Sequence, residues 1–292
     1  MSKFLKYIAC AGLLTFGLGL VSCSDDEGVT PSDVTNLRQE AGPGKITLRW
    51  NTPDDGTIKY VKVTYFDHLL KKNEVRLASI YADSILIPDT RKKYGTYSFS
   101  VQSISTSGDG GAVQTIDAVS EAAPATTLYS AAEIKLTVDD LSSNAPEATE
   151  GPIASLLDNN TATFFHTSWS ADIPGPHWLQ VNLNQTLDNH YKLYYAPRNN
   201  AANKPVDFDL MGSTDGTNWF LIKNFNKEDD GLPVTATDTY TSPNLEVPQP
   251  FSYVKLIVNK TNTNTVFWTM SEFKFYNVTK TVIDPEAPDV EE

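Results

Sequence analysis

Apolar and polar residues alternate in short stretches along most of the chain. In residues 46–50, 61–65 and 97–101 every second side chain is apolar, and Gly, Pro, Asn and Asp separate such stretches. A period of two is typical of strands that bury one face, whereas helices repeat every 3.6 residues. No sustained helical period follows Cys23, so the pattern predicts an all-β protein.

Composition narrows the class of protein. The 292 residues suit two domains, and 40% apolar with 11% aromatic residues can fill their cores. The formal net charge is −13, which argues against nucleic acid as a partner, because phosphate binding needs clustered Lys and Arg. Both cysteines, Cys10 and Cys23, lie near the start, so the rest folds without disulfides or thiolate-bound metal.

The first 22 residues read as a secretory signal peptide. Lys3 and Lys6 precede an apolar run over residues 7–21, and at ~1.5 Å per residue this run reaches only about 22 Å, too short to span a membrane. Residues 20–23, Leu-Val-Ser-Cys, resemble a bacterial lipobox, which implies lipidation at Cys23. The alternative is an ordinary signal peptide that happens to contain a cysteine.

Two acidic segments follow from the same analysis. Residues 23–30 are expected to form an acidic tether, and acids directly after a lipidated cysteine resemble surface-export signals of glycan-foraging Gram-negative bacteria. The alternative is a solvated spacer. We therefore expect an outer-membrane, surface-exposed lipoprotein whose membrane contact is its lipid, because an acidic surface is repelled by anionic membranes. Residues 279–292 are expected to be an acidic tail, and the stretch from Asp284 to Glu292 is expected to be frayed.

Residues 31–123 resemble a fibronectin type III-like domain, an immunoglobulin-type β-sandwich, through the alternating segments named above. The resemblance implies that Trp50 fills the core and that Tyr97 anchors a corner through its hydroxyl. No cluster of chemically reactive residues occurs here, so the domain is expected to be a spacer. Residues 122–127, rich in Ala, Thr and Pro, are predicted to be a linker.

The second half carries five ordered motifs that together resemble a discoidin, or coagulation factor 5/8 type C, domain. The resemblance implies a jelly-roll β-sandwich close to carbohydrate-binding module family 32, over residues 124–278 with the linker included. Phe165, Asn182 and Asn184 depart from the usual residues. The cysteine pair of the animal proteins is missing, which favours the glycan-binding branch. The motifs occupy residues 157–165, 178–183, 208–219, 253–256 and 270–276.

The same resemblance implies a structural Ca²⁺ site. Hard cations take six to eight oxygen ligands, and the turn over residues 158–163 is rich in side-chain oxygens. In the family, the matching turn pairs with the glutamate of the last motif. The implied ligands are Asp158, Asn160, Thr163 and Glu272. The alternative is an ordinary Asx turn beside an exposed glutamate.

The resemblance also places a sugar site in loops near residues 164–177, 197–204 and 261–270. Sugars need an aromatic plate and a few polar partners, and the candidates are His166, Trp169, Arg198 and Trp268. Alternatives remain open: Trp268 as the lid of the core, Arg198 in a salt bridge, and His166 in a hydrogen bond that closes the loop.

No catalytic motif is present in the sequence. It contains no Gly-x-Ser-x-Gly, His-Glu-x-x-His or phosphate-binding loop, although His166 and His177 offer an alternative metal pair. We expect a non-catalytic surface lipoprotein that binds glycan through its C-terminal domain, beside outer-membrane glycan-uptake partners. The alternatives are a structural or adhesion component that binds a partner protein, and an unrecognised hydrolase.

Overall fold

A computed structural model describes residues 28–289, which form two compact units. Unit 1 comprises residues 28–124 and 285–289, and unit 2 comprises residues 125–284. The predicted signal peptide, the lipidation site Cys23 and the first part of the tether lie outside the described residues. From residue 28 to residue 289, no helix has the length and apolar character needed to cross a membrane.

Unit 1 consists of two antiparallel sheets that share one hydrophobic core. Its strands are β1 Thr35–Gly42, β2 Lys45–Asn51, β3 Tyr60–Asp67, β4 Lys72–Ser79, β5 Ser84–Pro88, β6 Thr96–Ile104 and β7 Gln114–Val119. The strand orders are β1-β2-β5 and β4-β3-β6-β7. A short 3-10 helix, Lys92–Tyr94, precedes β6.

The two structural roles predicted for unit 1 are confirmed. The Trp50 side chain is fully buried between the sheets. The Tyr97 hydroxyl accepts a hydrogen bond from the Arg91 backbone N–H at 2.8 Å, which ties the start of β6 to the loop before it. Alternation produces this core directly, since successive residues of a strand point to opposite faces.

Unit 2 is a larger sandwich. Its strands are β8 Thr126–Glu133, β9 Leu141–Ser143, β10 Phe165–His166, β11 Trp178–Leu187, β12 His190–Ala196, β13 Pro205–Ser213, β14 Phe220–Asn226, β15 Tyr240–Thr241, β16 Leu245–Glu246, β17 Phe251–Thr261, β18 Thr269–Met270 and β19 Glu272–Ile283. Its helical turns are Val138–Asp140, Ile153–Leu157 and Lys227–Asp230. One sheet has the order β14-β13-β17-β11-β9, and the other has β15-β12-β19-β8 with β16 beside β12.

The predicted alternation holds in unit 2 as well. Val181 and Leu183 of β11 are buried, as are Phe273 and Phe275 of β19, and Asn182 between the first two is partly exposed. The all-β fold class, with a jelly-roll sandwich in the second half, is therefore confirmed. The predicted linker is shorter than expected, because Thr126 and Thr127 already pair with β19.

The expectation of an acidic tail from residue 279, frayed from residue 284, was wrong for the described residues, which end at residue 289. Residues 279–283 belong to β19 because they pair with β8. The Glu286 carboxylate then accepts backbone N–H bonds from Lys92, Lys93 and Ala123 at 3.1, 2.8 and 2.7 Å, all within unit 1. A carboxylate is a strong acceptor for otherwise unpaired backbone donors, so the acidic sequence binds back to the fold.

Candidate functional site

The candidate site is built on the short β10–β18 pair of unit 2. In this pair Phe165 lies opposite Met270, and His166 lies opposite Thr269. The ladder continues by one step, because the Thr167 N–H donates to the Trp268 carbonyl at 3.0 Å. The loop that follows β10 and the segment that precedes β18 are thereby held together.

Trp268 belongs to the core, and its assignment as a sugar-stacking residue is corrected. Its side chain is fully buried, its ring meets Phe165 edge to face, and its indole N–H donates to the His177 carbonyl at 3.2 Å. No ring face is left for a ligand. The sequence around Trp268 is polar, and its apolar neighbours come from distant strands, so sequence proximity was misleading.

One ring nitrogen of His166 is engaged in a hydrogen bond. Its Nδ1–H donates to the Thr167 carbonyl at 2.6 Å, so that bond leaves Nε2 for other partners. Burial lowers the pKa of His166, so the ring is neutral at pH 7 and Nε2 is an acceptor. Only 3% of the side chain is exposed, because Gly151 packs directly against it.

Gly151 is required for this contact. Its φ is +63°, and a Cβ there would lie 2.8 Å from both the Cβ and the backbone nitrogen of His166. A larger residue would push the histidine out of place.

Arg198 presents an unpaired guanidinium. Its Cζ lies 3.4 Å from the centre of the Phe164 ring, so the flat group stacks on the ring. No carboxylate in residues 28–289 forms a salt bridge with Arg198, which removes that alternative for the described chain. Because Phe164 fixes one face, the donors at the guanidinium edge remain for a ligand.

Lys204 fixes the loop that carries Arg198. The Lys204 side chain is fully buried, and its ammonium donates to the Arg198 carbonyl at 2.5 Å. Burial, followed by the nearby Arg198 charge, lowers the pKa of Lys204. A buried cation of this kind is costly unless it is bonded, and the bond it forms holds the loop backbone at Arg198.

Trp169 is the exposed aromatic residue of the site. Half of its side chain, 51%, is accessible, and its indole N–H donates to a carboxylate oxygen of Glu150 at 3.0 Å. Glu150 also lies close enough to His166 to favour its protonated form, against the effect of burial. The indole edge is therefore fixed while much of the ring remains open.

The structure thus brings together three of the four predicted sugar-binding residues, His166, Arg198 and Trp169, and removes Trp268. Sequence reasoning missed the residues that support them, because most of these contacts join segments far apart in the chain. Glu147 and Glu150 are two of 36 acids, and no local pattern distinguishes them. The missed residues are Phe164, Glu147, Glu150 and Lys204.

The residues predicted to bind metal form a second cluster. Asp158 accepts hydrogen bonds from the Asn160 N–H at 2.9 Å and from the Thr163 hydroxyl at 2.7 Å. The Asn160 side chain accepts from the Ala162 N–H at 3.1 Å, so this amide closes the turn. The expected alternative, an Asx turn, is therefore present, but the glutamate that goes with it is not exposed.

Glu272 faces this turn from the start of β19 and is nearly fully buried. Both of its carboxylate oxygens are buried, and neither has a hydrogen-bond partner in the described chain. Burial, together with the nearby Asp158 carboxylate, raises the pKa of Glu272, whereas the Thr163 hydroxyl chiefly lowers the pKa of Asp158. Two adjacent carboxylates, one without donors, fit a hard cation.

The alternative histidine pair is not part of a larger set of metal-binding side chains in the described chain. One ring nitrogen of His166 and one of His177 are each bonded to a backbone carbonyl, at 2.6 and 3.0 Å. Across residues 28–289, no group of three or more His, Cys, Asp or Glu side chains is placed to hold one ion. Any ion at Asp158 and Glu272 would need hydroxyl and carbonyl oxygens to complete its shell.

The fold of unit 2 is a jelly-roll β-sandwich, and its candidate site lies in loops. Residues 140–273 match the F5/8 type C domain family, so unit 2 contains a domain of this family and the predicted discoidin-like domain is confirmed.

The chain is 34% identical over 90 residues to a sialidase of Micromonospora viridifaciens. This match covers 30% of the present chain and only 14% of the sialidase.

Solved structures give further likenesses. The family 32 carbohydrate-binding module of C. perfringens NanJ, solved with galactose, is 19% identical, with 50% of this chain and 98% of that chain covered and a TM-score of 0.39. The C-terminal domain of a Bacteroides fragilis chitobiase is 23% identical, with 51% and 99% covered and a TM-score of 0.38. A SusE-like protein is 12% identical, with 85% and 97% covered and a TM-score of 0.39.

Proposed function

We propose that the protein is a non-catalytic surface lipoprotein that binds carbohydrate through unit 2, as an accessory to glycan capture or degradation. The observation that carries the proposal is Arg198. In a chain with 36 acids its guanidinium pairs with none of the described ones, and it lies flat on Phe164 near His166. A donor fork kept free of acids is suited to a ligand with hydroxyl acceptors.

The neighbouring residues supply the rest of what a sugar needs. The half-exposed Trp169 ring offers an apolar plate for the face of a pyranose, and the neutral His166 Nε2 accepts a hydrogen bond from a hydroxyl. Family membership of unit 2 supports the same class of ligand, since relatives in the family include carbohydrate-binding modules.

The test is a binding measurement on the purified protein. A glycan array identifies ligands, and galactose, which the clostridial module binds, is the first soluble probe. Arg198→Ala should weaken binding at least tenfold without lowering Tm. Arg76→Ala, at an exposed arginine of unit 1, should leave binding unchanged. A wild-type protein that binds no glycan would contradict the proposal.

We also propose that Asp158, Thr163 and Glu272 bind a structural Ca²⁺, with the Asn160 segment supplying further oxygens. The unpartnered oxygens of buried Glu272 support this assignment. When bound, Ca²⁺ would neutralise the two carboxylates and tie the turn over residues 158–163 to β19.

For unit 1 we propose a fibronectin type III-like spacer. The three-plus-four strand arrangement, the buried Trp50 and the Tyr97 corner support this assignment. The competing proposal, that the protein binds a partner protein, draws on the exposed apolar side chains Leu70 and Leu77 and the 92% exposed Tyr81 of the same unit.

The cellular location is a proposal based on residues 1–27, which lie outside the described part of the chain. Lipidated Cys23 would anchor the protein in the outer membrane, facing outward, near glycan-uptake partners. Cys23→Ala should release the protein from the membrane fraction or leave its signal peptide uncleaved. Wild-type protein recovered without lipid would contradict the anchor.

A further inference from the structure

Glu147 is a buried carboxylate with no direct part in the proposed sugar site. Its side chain is 7% exposed. One oxygen accepts the Thr149 N–H at 3.0 Å, the Thr149 hydroxyl at 2.8 Å and the Ser170 hydroxyl at 2.7 Å. The other accepts the backbone N–H groups of Trp169 and Ser170 at 3.0 and 3.1 Å.

These bonds leave Glu147 no capacity for a ligand. An ionised carboxylate offers about four lone-pair positions, and five donors already point at this one. The Ser170 hydroxyl first, and then the other donors against the effect of burial, hold the pKa of Glu147 well below its usual range. The group therefore stays charged and fully bonded at neutral pH.

The bonds of Glu147 converge on the loop that presents Trp169. The Glu147 backbone N–H donates to the His166 carbonyl at 3.1 Å, so the residue is itself fixed to β10. Its carboxylate then holds the backbone at Trp169 and Ser170, three and four residues beyond His166. Glu147 thus fixes the loop, and the Glu150 bond to the indole N–H fixes the edge of the ring.

We infer that Glu147 is a positioning residue that preorganises Trp169 as a binding plate. The inference rests on the proposed glycan function and names a residue that acts on it without touching the sugar. Ordering a loop on binding costs conformational entropy, so a loop that is already ordered spares the ligand that cost. An unfixed loop would leave the large, half-exposed indole free to collapse onto other apolar surface.

The chain offers a matched control at Asp215. This carboxylate also organises a loop, accepting the Ser213 hydroxyl at 2.9 Å and the N–H groups of Thr217 and Asn218 at 2.8 Å each. It lies in the turn between β13 and β14, which carries none of the candidate site residues. Asp215→Asn therefore removes the same kind of interaction elsewhere in unit 2.

The first experiment needs no ligand. Glu147→Gln replaces one acceptor oxygen with an NH₂ donor that faces at least two other donors. NMR order parameters of the Trp169 backbone and indole N–H should fall in Glu147→Gln and stay at wild-type values in Asp215→Asn. Unchanged order at Trp169 in folded Glu147→Gln would overturn the inference, whatever the protein binds.

The second experiment measures galactose, or the best array glycan, by calorimetry. We expect about a tenfold loss of affinity in Glu147→Gln and less than a twofold change in Asp215→Asn. In a Trp169→Ala background, Glu147→Gln should cause no further loss, because contacting groups that act through each other are not additive. An equal loss with and without Trp169 would show that Glu147 does not act through Trp169 and would overturn the inference.

The two failures are distinguishable. If the wild-type protein binds no glycan, the proposed function fails while the order parameters still decide the role of Glu147. If Glu147→Gln does not fold, Glu147→Asp, which keeps an acceptor-only group on a shorter arm, takes its place with the same expected direction.

Discussion

The two units are both antiparallel sandwiches, yet they bury different polar groups. In unit 1 the buried polar side chains are hydroxyls of Thr and Ser, such as Thr90, which donates to the Ser120 hydroxyl at 2.8 Å. Among residues 28–289, the buried Asp, Glu, Lys and Arg side chains are Glu147, Lys204 and Glu272. All three lie in unit 2. Two of these support the candidate sugar site, and the third faces the candidate metal turn.

This difference distinguishes a plain sandwich from one that carries candidate sites. Burying a charge costs several kcal/mol unless bonds or an ion compensate for it, so stability alone does not account for three such residues in one unit. Unit 1 shows that a sandwich can form from alternating apolar residues and a few neutral hydrogen bonds. The additional charges of unit 2 lie at its candidate binding sites.

The largest expected effect comes from the two core tryptophans. Trp50→Ala should destabilise unit 1, and Trp268→Ala should destabilise unit 2, each by about 3–5 kcal/mol, because a large cavity replaces a fully buried ring. Calorimetry with galactose binding measured in parallel should show binding lost only with Trp268→Ala. Glycan binding that disappears with Trp50→Ala would contradict the assignment of function to unit 2.

Removal of Ca²⁺ is expected to have the next largest effect. Saturation at a hundredfold excess over Kd adds about 2.7 kcal/mol to stability, so EGTA should lower the Tm of unit 2 and leave Trp50 packing intact. Without the ion, the raised pKa of Glu272 means that ionisation destabilises the fold as pH rises above the carboxyl's ordinary value. The rise in Tm when Ca²⁺ is added to metal-free protein should therefore be smaller at pH 5 than at pH 7, and Glu272→Gln should abolish it. A Tm insensitive to EGTA and to added Ca²⁺ would exclude the site.

A smaller effect is expected at Glu286 in unit 1. Burial opposes ionisation, but the backbone N–H groups of Ala123, Lys93 and Lys92 together lower the pKa of Glu286. Its contribution, about 1 kcal/mol, should be present above the ordinary carboxyl pKa and be lost as pH falls through the lowered value. Glu286→Gln should reduce the stability of unit 1 at pH 7 and flatten its acid dependence, with the exposed Glu246→Gln as control. Equal acid profiles for wild type and Glu286→Gln would show that this contact does not hold the segment.

The smallest effect on stability is expected at Lys204. Lys204→Met keeps the apolar stem and removes a buried charge, a change that is often neutral or stabilising. The Arg198 carbonyl loses its donor, so galactose affinity should fall several-fold while Tm changes little. A Lys204→Met protein with full affinity would mean that the Arg198 loop is held by other contacts.

The sequence was sufficient to predict the framework of strands. It was insufficient to predict the residues that hold the candidate site in place. Alternation reports directly on which strand face is buried, so Trp50, Val181 and Phe273 could be placed from sequence. The turn over residues 158–163 could be tied to Glu272 only through family resemblance. Trp268 was misassigned because its neighbours in the chain are polar while its neighbours in space are not.

The residues that hold the candidate site in place could not be predicted from alternation. Glu147 contacts residues 22 and 23 positions away, and the Phe164 ring meets a guanidinium 34 positions away. Such contacts depend on how loops close, and no period or motif encodes them. The C-terminal segment shows the same limit, since its acids look solvated until the backbone donors that bind Glu286 are known.

The central claim is that unit 2 binds a glycan at Trp169 and Arg198. The most direct measurement is a ¹H–¹⁵N NMR titration with galactose or the best array glycan, which follows the indole N–H signals of all five tryptophans. The account predicts a saturable shift of the Trp169 signal, lost in Arg198→Ala, with Trp50 and Trp268 unmoved. Saturable binding that leaves Trp169 unchanged, or that shifts Trp178 and Trp219 instead, would contradict it.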